Sequence, residues 1–157
     1  MDVSQILIQK YSKQLTIEGG ARLQLHEWLM VEWVLEKLSC DVVVRQTNDD
    51  VNVKSADILL GGELFELKQT GGTVGTLDTQ VRYAIHQSGG RGVIVNITGN
   101  KYTNDVAIMT VMNRMHRTGL SEVYILRDMS LIAHILQNGV EFVIKKTAYH
   151  VPMRGAQ

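Results

Sequence analysis

The sequence predicts an α/β fold: a mixed central β-sheet that contains a hairpin and is flanked by helices. Three observations carry that expectation. Apolar runs of strand length recur, as in "DVVVRQ", "ILLGGELFELK", "GVIVNIT" and "SEVYILR". Longer stretches with helical spacing interrupt them, as in "ARLQLHEWLMVEWVLEKL", "LDTQVRYAIHQS" and "NDVAIMTVMNRMHRTG". A double glycine, Gly61–Gly62, separates two of the apolar runs at hairpin spacing.

Taken in order, "VSQILIQKY" (3–11) places Ile6, Ile8 and Tyr11 in a helical pattern and predicts a peripheral helix, from which "TIEGG" breaks away. Residues 21–38 predict the strongest helix, ending at Ser39 before a strand over 41–46. "NDD" (48–50) is a turn, and 56–68 is the hairpin. "QTGGTVGT" follows as a mobile loop without the Gly-Lys-Ser/Thr of a nucleotide-binding loop. A helix over 77–88 is stopped by "GGRG", then come a buried strand over 92–98 and a helix over 104–119 capped by Gly119. A strand covers 121–127, a helix or helical turn 130–137, and a last strand or helix end 140–146. No repeat, low-complexity tract or linker divides the chain, so 1–157 is expected to be one domain.

Composition narrows the function classes. Lys+Arg and Asp+Glu are both 16, which argues against a nucleic-acid binder relying on bulk charge while leaving room for a local basic groove. The single cysteine, Cys40, excludes an internal disulfide. No apolar run is long enough to span a bilayer, and no basic segment followed by an apolar stretch opens the chain, so neither a membrane span nor a signal peptide is expected.

The hairpin carries the chemistry. A two-residue turn at Gly61–Gly62 sets Leu60 opposite Glu63, Leu59 opposite Leu64, Ile58 opposite Phe65 and Asp57 opposite Glu66. Two carboxylates so placed would have Cβ atoms roughly 5 Å apart, a destabilising pairing unless something compensates. Strand alternation puts Glu66 and Lys68 on one face and Phe65 and Leu67 on the other. Asp57 and Glu66 can offer oxygens to Mg²⁺ or Mn²⁺, with Lys68 holding a water or offsetting phosphate charge. Alternatively Lys68 bridges both acids in a structural cluster. Glu27 shares a helical stripe with Met30, Val31, Val34 and Leu38, where it needs a partner; the hairpin acids' cation is one candidate, and Arg22 or a surface lysine another. His26, His116 and Cys40 make no zinc-ligand spacing, which makes Zn²⁺ the poorer candidate.

A helix bearing a Glu, then "SAD", a short hairpin, "ELK" and a further helix resembles the PD-(D/E)xK nuclease superfamily, whose fold is restriction-endonuclease-like. More narrowly, "KSADILLGGELFELKQTGG" followed by "LDTQVRYAIHQSGGRGVIVNI" is similar to the C-terminal toxin domain of CdiA proteins of contact-dependent growth inhibition, several of which are tRNA nucleases. The resemblance covers about residues 21–127, leaving a peripheral N-terminal helix within 1–20, and the proline of the superfamily's name is Ala56 here. It implies a metal-dependent endonuclease toxin domain cleaving RNA, tRNA above all. Asp57 and Glu66 would be metal ligands, Lys68 the catalytic lysine and Glu27 the helix acid assisting metal or water. Gln80 and Gln87 resemble positions turned to the substrate. Asp78, Arg82 and His86 form a ladder that either stays solvated or touches phosphate. Lys101, Tyr102, Arg114 and Arg117 are candidates for a basic wall, with Tyr102 stacking on a base. The resemblance further implies a cognate immunity protein and delivery from a secreted effector into a target cell's cytoplasm, as in bacterial competition. The residues do not separate RNA from DNA, so a DNase of the same fold is the alternative, as is a non-catalytic binding or immunity-type module.

Overall fold

The chain begins with a reciprocal cap. Asp2 accepts a hydrogen bond from the Gln5 amide and Gln5 accepts one from the Asp2 amide, both at 3.0 Å, which starts helix α1 (Val3–Lys10). In this computed structural model, residues 2–46, 57–88, 91–138 and 141–146 are described. The predicted turn at 48–50 and Ala56 lie outside them.

Residues expected to break away from α1 instead form strand β1 (Leu15–Ile17), which pairs in parallel with β2 (Val42–Val44). Three residues are too few to show a period against the glycines that follow. Helix α2 (Leu25–Trp33) is shorter at its start than predicted, because Gln24 takes an extended conformation and its amide donates to the Glu27 carboxylate. A wider π-turn continues the helix over Val34–Leu38, ending at Ser39 in the left-handed region (φ 53°). The expected stripe is buried: Met30, Val31, Val34 and Leu38 all lie in the core.

Strands β3 (Ile58–Leu60) and β4 (Glu63–Thr70) form the hairpin, with Ile58 opposite Phe65, Leu59 opposite Leu64 and Leu60 opposite Glu63, as the glycine arithmetic requires. Gly61 and Gly62 both have positive φ, 56° and 87°, the conformation a two-residue hairpin turn needs and side chains resist. Strand β4 runs through Gln69–Thr70, and helix α3 (Val74–Ser88) starts well before the predicted residue 77. Only Gly71–Thr73 connects them, with the Thr73 hydroxyl accepting from the Thr76 amide at 3.4 Å. The "mobile loop" is thus mostly strand end and helix start.

Strand β5 (Gly92–Ile97), helix α4 (Asn104–Thr118) and strand β6 (Glu122–Arg127) follow as expected, α4 capped by Thr103 and by Gly119 at φ 75°. The predicted helix at 130–137 is instead strand β7 (Ser130–Asn138), joined to β6 by Asp128 and Met129, both at positive φ. Its partner register skips a residue: Ile125 faces Ala133 while Leu126 faces Leu131. The bulge at Ile132 breaks the alternation and lets apolar residues run together as in a buried helix. Strand β8 (Glu141–Lys146) resolves the last alternative in favour of strand.

The eight strands lie in sequence order, β1 to β8. Parallel pairs β1–β2, β4–β5 and β5–β6 mix with antiparallel pairs β2–β3, β3–β4, β6–β7 and β7–β8. One face packs against α1 and α2 through Leu7, Trp28, Met30, Phe65, Leu67, Ile94 and Tyr124. The other packs against α3 and α4 through Leu77, Val81, Ala84, Val93, Val95, Val111 and Met115. The predicted α/β architecture, a mixed sheet between helices, is the observed one. No described helix is long and apolar enough to cross a membrane.

Phe65 lies directly over Gly92, its register partner, and a Cβ at Gly92 would come within 2.4 Å of the ring. Gly92→Ala is therefore expected to cost about 1–3 kcal/mol by overpacking. Thermal unfolding should show the loss, and Phe65→Leu in the same chain should recover part of it; an unchanged melting temperature in Gly92→Ala would contradict this packing.

Candidate active site

Register decides which side chains meet. Glu66 and Lys68 pair with Val93 and Val95, both in the α3–α4 core, so both project to that face. Phe65 and Leu67 project to the α1–α2 face. Asp57 stands one residue before β3, and extending the ladder puts it opposite Glu66. Its carboxylate reaches across the strand: Oδ2 accepts a hydrogen bond from the Leu67 amide at 2.9 Å. That amide lies where β4 runs on past the end of β3, so the side chain supplies an acceptor that the short strand does not.

Glu66 is 3% exposed. Its Oε2 is buried and receives no hydrogen bond from any donor of the described residues. The group's recourse is a proton. Burial first, then a hydrogen bond shared with Asp57, then the Asp57 and Glu27 charges push its pKa up to about 10, against a smaller pull from Lys68. Lys68 itself is half-buried. Among the described residues its amine makes no ion pair, so the structural cluster in which it bridges both acids is not the arrangement seen.

Glu27 lies in the first turn of α2, half-buried, with Oε1 accepting from the Gln24 amide at 2.8 Å. Burial raises its pKa most; the Gln24 bond opposes this, and the Asp57 charge adds to it. Its partner is thus its own helix start, not Arg22. Asp57 and Lys68 are still near enough for their charges to act on it. Among the described residues no third His, Cys, Asp or Glu joins Asp57 and Glu66 in a metal-holding group. Glu27 stands apart from that pair, with one of its two oxygens engaged by the Gln24 amide. An all-oxygen pair containing a donorless buried oxygen suits Mg²⁺ or Mn²⁺, which accept one or two carboxylates and fill their shells with water or phosphate. It offers no nitrogen or sulfur for Zn²⁺.

Helix α3 forms one wall. Arg114 of α4 holds Asp78 in a two-point ion pair, Nε to Oδ1 at 3.0 Å and Nη2 to Oδ2 at 2.5 Å. Asp78 therefore faces α4. Gln80 lies about 200° further round the helix, on the flank toward β3 and β4 where the acids stand; it is half-buried. The side chain of Gln87 lies outside the described residues. Arg82 sits only about 40° from Asp78, on the α4 shoulder, and its charge helps lower the Asp78 pKa after Arg114 and Arg117. From that shoulder its guanidinium reaches over the Tyr83 ring, at 5.2 Å.

Two of the four residues expected to form a basic wall are engaged elsewhere. Arg114 is committed to Asp78. Tyr102 is half-buried with its hydroxyl sealed in, so it offers little ring to a base. Lys101 and Arg117 are exposed.

A second polar cluster on the α1–α2 face was not anticipated. His134 Nε2 and Glu122 Oε2 lie 2.6 Å apart, and the His134 ring stacks on Tyr124 at 4.0 Å. Arg91 approaches Glu122 at 3.4 Å and Glu63 at 3.1 Å, the latter out of hydrogen-bond alignment. Reading 130–137 as helical hid this pairing, since only strand register sets His134 beside Tyr124.

The chain matches no family model, no curated protein and no solved structure.

A raised carboxyl pKa has a definite sign in folding. Glu66 binds its proton up to about pH 10 when folded and only to 4.5 at its ordinary value. Its stabilising contribution is complete below 4.5 and is lost as pH rises toward about 10. In EDTA, stability should fall by up to about 1.4 kcal/mol per pH unit across that window. Glu66→Gln, which keeps the shape without the charge, should flatten the profile and raise the melting temperature at alkaline pH. A parallel profile for the two proteins would show Glu66 to be ionised already.

Proposed function

We propose that the chain is a metal-dependent endonuclease toxin domain of restriction-endonuclease-like fold that cleaves RNA, with tRNA the favoured substrate. The observation that carries this reading is the buried Glu66 carboxyl beside Asp57, with the Lys68 amine two residues further along the same face. A stable core has no use for such a group, whereas a site that must gather positive charge at a phosphate does.

Asp57 and Glu66 are the residues that would hold Mg²⁺ or Mn²⁺. When bound there, the ion supplies Lewis-acid polarisation of the scissile phosphate and a water of lowered pKa. Lys68 directs its ammonium toward the same space, where it steadies the attacking water and balances charge on the phosphorane-like transition state. Glu27 holds the start of α2 in place beside the site through Gln24 and adds negative potential that favours cation uptake. Gln80 offers an amide to the sugar or phosphate from the helix wall. The resemblance further supports delivery from a secreted effector into a target cell and a cognate immunity protein covering the site.

Purified protein incubated with total RNA or plasmid DNA is expected to cut RNA in Mg²⁺ or Mn²⁺ and to stop in EDTA. Lys68→Ala, Asp57→Asn and Glu66→Gln should each lower kcat about 10²–10⁴-fold with folded circular-dichroism spectra. Preferential cutting of plasmid would reassign the substrate to DNA. Full activity in Glu66→Gln, or no metal uptake by calorimetry, would overturn the reading in favour of a binding module.

A further inference from the structure

Helix α3 returns the chain from the end of β4 to the start of β5, which runs parallel to β4, so α3 runs antiparallel above them. Its middle residue, Val81, packs in one core with Val93 and Val95, the register partners of Glu66 and Lys68. Because α3 (Val74–Ser88) starts just after Thr70 at the end of β4 and ends just before Gly92, the register partner of Phe65, its central turn stands over the Glu66–Lys68 stretch of β4. One residue of that turn leaves a large aromatic ring open to solvent. Tyr83 lies about 60° round the helix from Gln80 and about 140° from Asp78, on the acid-side flank but tilted toward solvent. It is 51% exposed, and the Arg82 guanidinium stands 5.2 Å over its ring.

We infer that Tyr83 is a stacking platform for an unpaired nucleobase beside the scissile phosphate, and that the substrate class is RNA bearing a single-stranded loop. The inference rests on the nuclease reading of the same site and names what that site selects. An aromatic ring on the lip of a site can stack only on a base that has left its helix, so it favours loops, bulges and ends over duplex. Arg82 backs the ring, adding a cation to a base–aromatic stack. The charge balance points the same way: with 16 basic and 16 acidic residues, bulk attraction to phosphates is weak and contact must come from local stacking. Tyr102, the aromatic expected to stack on a base, is half-buried with its hydroxyl sealed in; of the two, Tyr83 is the exposed one.

The test uses a fluorescein-labelled RNA hairpin with an unpaired loop and a blunt RNA duplex of the same stem. Binding is read by anisotropy in EDTA and cutting is read separately in Mg²⁺. Wild-type protein should bind the loop substrate about tenfold or more tighter than the duplex. Tyr83→Ala should lose about tenfold on the loop and nothing on the duplex, while Tyr83→Phe should match wild type. Equal loop binding by wild type and Tyr83→Ala, a Tyr83→Phe as weak as Tyr83→Ala, or a wild-type preference for duplex would each overturn the inference. Tyr83-dependent loop binding without any cutting in Mg²⁺ would uphold the platform and remove the nuclease reading. Cutting indifferent to Tyr83 would uphold the nuclease and remove the platform.

Discussion

A carboxyl group sealed in the middle of a central strand is the constraint around which the molecule is arranged. An ionised Glu66 at 3% exposure with no donor to one of its oxygens would be costly. Three remedies exist: a proton, a paired amine or a cation. The amine is two residues away, yet it forms no ion pair among the described residues, so a proton, held in a hydrogen bond with Asp57, is the remedy that the raised pKa of Glu66 reflects. Glu66 is therefore a costly residue for a purely structural position, which is the observation on which the proposed function rests.

The site arises from a mismatch of strand lengths. Strand β4 spans eight residues and β3 only three, so on that side β4 runs beyond its hairpin partner from Glu66 onward. On its other side β5 pairs with it from Phe65 to Thr70 and keeps it extended. The overhang exposes the Leu67 amide, and the Asp57 carboxylate closes it. The Asp57 carboxylate thus has a structural bond that anchors it beside Glu66, with which it also shares a hydrogen bond. A longer β3 would pair that amide with backbone and leave Asp57 without this anchor.

How much of this could be read from the sequence depends on the range of the signal. The hairpin register was legible because two glycines at positive φ leave a single geometry, and every cross-strand pair follows from it. The α2 stripe was legible because its period repeats over several turns. What failed were features set by distant partners. The three residues of β1 are a strand only because β2 lies alongside. The bulge at Ile132 disguised β7 as helix, and with it the Glu122–His134 pair. Glu27 was expected to need a partner, and the one that the structure shows, the Gln24 amide at its own helix start, was not among those expected. Gln80 could be nominated from helical spacing, but the flank it shares with Tyr83 is fixed only by Arg114 reaching across from α4.

The opposite face of the sheet explains how the strained pair is tolerated. Alternation along β4 sends Phe65 and Leu67 into the α1–α2 core, where Phe65 meets Tyr124 at 6.2 Å and Trp33 meets the same ring at 5.9 Å. Arg91 links Glu63 at the start of β4 with Glu122 in β6, and His134 extends the link to β7. These contacts hold four consecutive strands in register at the end where the hairpin turns. A one-residue slip in β4 would exchange the faces of Phe65 and Glu66, driving a carboxylate into the aromatic cluster and an aromatic ring into the site. The aromatic cluster and the polar clamp on one face are therefore what keep Glu66 and Lys68 on the other.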